Sequence, residues 1–247
     1  MTSNSEKHRR RALVKAKESL LAREARKALA FKTRVGIDSW FNVLEELDLR
    51  VMTSVRRSEE HILRFKKLYP GAIELLACGT MLRPGASCLE VQMLEARLGL
   101  TLPPEYKGFL KASNGLLLPQ YCKFASTDEI GTYEEADPLG ADALDNYLED
   151  VGEPADKEYK RYGGKQDPLC IRAGYARRSL ALNRPVTDKS GIGQGFGWVL
   201  LVREIKFESG EYEVWNYDPW GSKRYEGFAA YFKAARKLID ESSRMVG

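Results

Sequence analysis

Ser87-Cys-Leu-Glu-Val-Gln-Met-Leu-Glu-Ala-Arg-Leu-Gly-Leu-Thr-Leu-Pro-Pro-Glu-Tyr-Lys-Gly-Phe-Leu-Lys-Ala-Ser-Asn-Gly115 is the stretch whose reading decides the fold. Ser87 and Glu90 have the spacing of a capping box, in which each side chain satisfies a backbone N–H left unpaired by the first helical turn. A helix is therefore predicted from here. Val91, Leu94 and Leu98 form one apolar stripe, and Gly99 can take the left-handed conformation that closes a helix. Leu100 and Leu102 read as a short buried link. Pro103 and Pro104 suit the first turn of a second helix, with Tyr106, Phe109 and Leu110 facing inward and Asn114-Gly115 ending it.

Preceded by Leu82-Arg-Pro-Gly-Ala-Ser87, this order of capped helix, Leu-Pro-Pro-x-Tyr, Phe-Leu and Asn-Gly resembles the signature of the SUKH superfamily. That group contains fungal cell-wall-assembly regulators and many bacterial immunity proteins that neutralise toxins. The resemblance covers roughly 58–240 and is strongest at 82–115. It implies an α+β fold, a SUKH-like mixed or antiparallel sheet packed against helices, here with an N-terminal helical extension. Ser126-Thr-Asp-Glu-Ile130 resembles the family's link from a strand to the next helix, and Tyr225–Phe232 its terminal Phe-containing helix. The sequence departs from the family at Asn183, where many members have an aspartate, and in the 130–167 segment, which is longer than in compact bacterial members.

Outward from the signature, Asp38 can cap a helix in which Trp40, Val43, Leu44 and Leu47 share a face, and Ser58 another that runs to Pro70-Gly71. Residues 72–77 form a short apolar segment. C-terminal to the signature the period shifts towards 2. Strands are expected at 116–118, 121–125, 169–171, 179–182, 197–205 and 211–217, with turns at Gly174, 187–195 and Ser209-Gly210. The expected organisation is a basic helical extension at 1–35, a helical N-terminal layer at 36–83, the SUKH-like domain at 84–240 and a flexible C-terminus at 241–247.

The net charge of +4 conceals an asymmetry. Residues 1–34 hold eleven Lys or Arg against three Asp or Glu, whereas the rest of the chain holds 28 against 32. Nucleic-acid binding is thus an expectation for residues 7–34 alone, and a weak one without interleaved aromatics. No apolar run reaches the roughly 18–20 residues that cross a bilayer, so no membrane association and a cytoplasmic location are expected. Cys78, Cys88, Cys122 and Cys170 lack metal-ligand or redox spacing and are expected to pack as small apolar residues. The alternating glycines at 191–197 precede a strand rather than a helix, which argues against a phosphate cradle.

Catalytic resources are thin. Of the two histidines, His8 sits in the basic tail and His61 has no evident partner, so no enzyme, cofactor or metal is expected. Between Asp128 and Glu158 there are twelve Asp or Glu and one Lys, mixed with aromatics. This bias reads either as a solvated acidic face or as a docking patch for a basic protein, in which Glu134, Glu135, Asp137 and Asp142 steer. Tyr133, Tyr147, Trp215, Tyr217 and Trp220 are the candidate anchors, with Trp198 and Trp215 also candidates for the core, Trp198 the more so. With the resemblance, the expected activity is that of a non-enzymatic immunity-type protein binding a cytoplasm-active toxin. The alternative is a scaffold or regulator of the fungal cell-wall type that engages signalling components.

Overall fold

The computed structural model describes residues 37–56, 77–118, 122–151, 154–159, 170–185, 197–218 and 221–245, with 59, 60, 62, 63, 162, 166 and 167 between them. The expected basic helix, most of the helix after Ser58, nearly all of 72–77, both histidines and the 191–195 glycines lie outside the described residues.

Helix α1 (Ile37–Val55) begins one residue ahead of Asp38 and buries Trp40, Leu44, Leu47 and Met52. The signature forms helices α2 (Cys88–Leu98) and α3 (Pro104–Ala112). Ser87 accepts from the Glu90 N–H at 3.2 Å while Glu90 accepts from the Ser87 N–H at 2.7 Å, which completes the capping box. Gly99 closes α2 at φ +63°. The link is fixed by the Glu95 carboxylate, which takes the Leu102 N–H at 2.8 Å and the Lys107 ammonium at 3.1 Å. Asn114 then docks the next turn, its side chain bonding Thr127 N–H and Oγ1 at 2.8 and 3.2 Å.

Strands β1 (Leu116–Leu118), β2 (Cys122–Phe124) and β5 (Asn183–Pro185) make one antiparallel sheet. A second antiparallel sheet runs in the order β3 (Gly131–Thr132), β4 (Leu180–Ala181), β6 (Trp198–Lys206), β7 (Tyr212–Asp218), β8 (Gly221–Tyr225). The two are joined where the chain 180–185 crosses between them. There Asn183, buried, substitutes for a ladder: its Oδ1 accepts from Val199 N–H at 2.6 Å and its Nδ2 donates to the Gly197 carbonyl at 3.0 Å. An aspartate could make only the first of these bonds.

Both faces of the larger sheet are covered, which explains the unbroken Trp-Val-Leu-Leu-Val run of β6. Val199 and Leu201 enter one core with α1, α3 and the terminal helix α7 (Phe228–Met245), which continues past the expected boundary at 240. Trp40 lies at its centre, 5.8 Å from Phe109, 5.5 Å from Phe228 and 5.2 Å from Phe232. Leu200, Val202 and Trp215 enter a second core under the chain between Tyr133 and Ala176. That chain contains α4 (Tyr133–Ala136), α5 (Pro138–Val151), α6 (Asp156–Tyr159) and a short 3-10 turn at Ala173–Tyr175. The chain between Tyr133 and Ala176 therefore roofs the sheet's second face.

At the expected strand 169–171 the described residues form no ladder. Cys170 and Ile171 are irregular, with the Cys170 N–H turned back to the Asp167 carbonyl at 3.1 Å. The apolar character there reflects burial of Ile171 in the second core, not a ladder. Cys78 and Cys88 are exposed rather than packed, because Cys88 faces out from the first turn of α2.

Candidate functional site

Thr132-Tyr-Glu-Glu135 repeats the capping pattern of Ser87–Glu90. Thr132 takes the Glu135 N–H at 3.2 Å, and Glu135 takes the Thr132 N–H at 2.8 Å. The box starts α4 straight off β3, and this orients Tyr133 inward while Glu134 faces solvent. Asp137 ends α4 and starts α5 by accepting from Gly140 N–H at 3.0 Å. Its other oxygen receives the Tyr133 hydroxyl at 3.3 Å and the Trp198 indole N–H at 3.2 Å. Burial, with the neighbouring Asp137 carboxylate, drives the Tyr133 phenol well above its ordinary pKa, so it stays a donor.

These bonds sort the residues named from sequence. Tyr133 and Trp215 are 1% and 0% exposed, so neither ring is presented to a partner. Tyr133 packs edge-on against Trp198 at 5.4 Å and Tyr217 at 6.1 Å, while Trp215 points its indole N–H at Glu213. Of the two tryptophans, Trp215 is the core residue and Trp198 is half-buried, the reverse of the sequence preference. Alternation in β7 sets this, because Trp215 falls on the face roofed by α4 and α5. Tyr217 is half-buried, Asp137 is engaged by its three donors, and the Tyr147 side chain, on α5, and Trp220 lie outside the described residues.

What remains at the surface is a ridge along α4 and α5. Glu134, Glu135 and Asp142 are exposed, and Arg177 bridges two of them, at 2.8 Å to Glu134 and 2.7 Å to Asp142. Part of the negative charge counted in the sequence is thus neutralised in place. The ridge also carries a residue that the sequence reading did not select. Leu139 is 82% exposed, three residues before Asp142 and so on the same helical face. Its apolar type gave no signal, since a leucine in a helix is expected to be buried.

Among the described residues no group of three or more His, Cys, Asp or Glu is placed to hold a metal, and no helix is long and apolar enough to cross a membrane. The ridge presents the exposed carboxylates of Glu134, Glu135 and Asp142 together with the exposed Leu139. The sequence profile of the SMI1 / KNR4 family (SUKH-1) matches residues 85–235. No curated protein matches the chain.

Proposed function

We propose, for a chain that belongs to the SMI1 / KNR4 family (SUKH-1), that it is a non-enzymatic protein-binding module of the immunity type. It holds a cytoplasm-active toxin, for example a nuclease, in a stoichiometric complex and so blocks it. The observation that carries this reading is the ridge of α4 and α5, where Leu139 is exposed in the same stretch as the exposed Glu134, Glu135 and Asp142. Carboxylates at the rim raise the rate of encounter with a basic surface, and a desolvated apolar projection slows release.

The test is capture of the partner with an affinity-tagged chain at moderate salt, followed by mass spectrometry. One basic effector at equal stoichiometry supports the immunity reading; a set of signalling or cell-wall components in its place supports the regulator. Against the captured partner, Leu139→Ala combined with Glu134→Gln and Asp142→Asn is expected to weaken binding by about tenfold or more, the effect of losing one good anchor and its rim charges. Unchanged affinity in a variant that melts like the parent would place the contact elsewhere.

A further inference from the structure

Helix α2 turns Val91 and Leu94 into the core, with half-buried Leu98 continuing the row. On its opposite side Leu89, Met93 and Ala96 fall at i, i+4 and i+7, the spacing of a single stripe. Leu89 is 64% and Met93 63% exposed, and Ala96 is exposed as well. Three apolar residues over two turns make a continuous patch. The exposed Phe41 and Leu49 of α1 do not, since the exposed Glu45 stands between them.

The charges of α2 are kept off this stripe. Glu95 is turned to its own domain, where it holds the Leu102 N–H and the Lys107 ammonium. Glu90 and Arg97, seven residues apart, lie along one flank of the stripe, and both are exposed. Glu90 gives Oε2 to the Ser87 N–H. Arg97 gives one of its five N–H groups to the Thr127 carbonyl at 2.9 Å and makes no ion pair among the described residues. Asp128, also exposed, is near enough to act on the Glu90 carboxyl and adds a second negative charge at that end. The other flank begins with Gln92, which is uncharged.

We propose that this face binds a second copy of the chain, α2 against α2, antiparallel about a twofold axis at the level of Met93 and Leu94. That register sets the two apolar stripes together and brings Glu90 and Asp128 of each copy to Arg97 of the other. A parallel pair would set the flank of Glu90 and Arg97 against that of Gln92, leave the charges unmatched and align the two helix dipoles. It is this self-match that points to a second copy rather than to an unrelated apolar segment. An interface of one 11-residue helix from each copy is smaller than the roughly 1,200–2,000 Å² of stable complexes, so a weak dimer is expected, with Kd on the order of 100 µM. This inference does not rest on the partner-binding role of the ridge.

Sedimentation velocity of the full chain, from about 10 µM to about 0.5 mM, is expected to show a concentration-dependent dimer. Leu89→Gln with Met93→Gln, both at exposed positions, should weaken it at least about tenfold, and Arg97→Glu at least about fivefold, with the melting curve of the parent kept. Orientation is read by disulfide trapping in chains that carry Cys78→Ser and Cys88→Ser, which removes the exposed native thiols. Met93→Cys, beside the twofold axis, should form a covalent dimer under mild oxidation. Leu89→Cys should not, because the antiparallel register holds its two copies about 13 Å apart along the helix, beyond the reach of a disulfide. A chain that stays monomeric at about 0.5 mM overturns the proposal. So does a dimer indifferent to the Leu89 and Met93 changes or to Arg97→Glu, or one trapped equally well through Leu89→Cys, which would be parallel. A monomer whose Met93 methyl shows nuclear Overhauser contacts with leucines of residues 1–34 would give the face to the chain's own basic segment, and overturns it too.

Discussion

At the scale of single residues, the glycine of Leu82-Arg-Pro-Gly-Ala-Ser87 is explained by crowding. A β-carbon at Gly85 would overlap the Lys111 carbonyl of α3, where the Ala86 N–H bonds the Leu110 carbonyl at 2.8 Å. Gly85→Ala is expected to cost about 1–3 kcal/mol through forced displacement of backbone, measured by urea unfolding. Gly99→Ala meets open space and should cost only the strain of a left-handed alanine, about 1 kcal/mol. A reversed order of these two would refute the crowding argument. Glu129 gives a pH signature. Partial burial raises its pKa, but the Lys123 ammonium and the Ser126 N–H and hydroxyl outweigh this and hold the carboxyl at about 2, below its ordinary 4.5. A depressed pKa means that the stabilisation is full above about 4.5 and is lost as pH falls towards 2. Between pH 5 and 3 the parent should therefore lose more stability than Glu129→Gln, and parallel curves would show that the contact contributes nothing.

At the scale of elements, the two capping boxes allow a direct comparison. Ser87→Ala removes the acceptor for the Glu90 N–H and is expected to cost about 1 kcal/mol, a fall in Tm of about 2–4 °C for a chain of this size. Ser87→Asp, which can accept the same bond, should retain most of it. Helices α2 and α3 were legible because their caps, stripe and prolines all pointed the same way. Strand β8 was not, because its inward residues are Ser222 and Arg224, both buried and both polar, so no hydrophobic alternation exists to read. Strand β3 is two residues long and carries no pattern. At 169–171 the error was the converse, since an apolar cluster reports burial and only a partner makes a strand. The candidate ridge was half legible. Charge count located α4 and α5, but long-range bonds decided which aromatics turned inward and that Arg177 would come from 43 residues away to pair with Glu134.

At the scale of the whole molecule, the signature turns out to be structural. Its residues fasten α2 and α3 to each other and to the sheet. Trp40 lies across Gly108, whose β-carbon would come within 2.7 Å of the ring, and donates its indole N–H to Glu105 at 2.8 Å. Glu105 in turn gives its own N–H to Glu211, immediately before β7, at 2.9 Å. Among the described residues, the buried hydrophobic residues of both cores fall between Trp40 and Ile239, and we expect folding not to draw on residues 1–34. Deleting them should leave Tm within about 2 °C, while the formal charge moves from +4 to −4 because eleven basic and three acidic residues depart. Ion-exchange behaviour at neutral pH should reverse accordingly. The same truncation separates two kinds of binding. If residues 7–34 contact nucleic acid, the full chain retains duplex DNA with an affinity that falls steeply with salt, and the truncated chain retains none. A basic protein partner held by the ridge should instead associate faster with the truncated chain at low salt, since repulsion from the tail is gone and the body is acidic. Slower association after truncation would assign the tail, not the ridge, to the encounter.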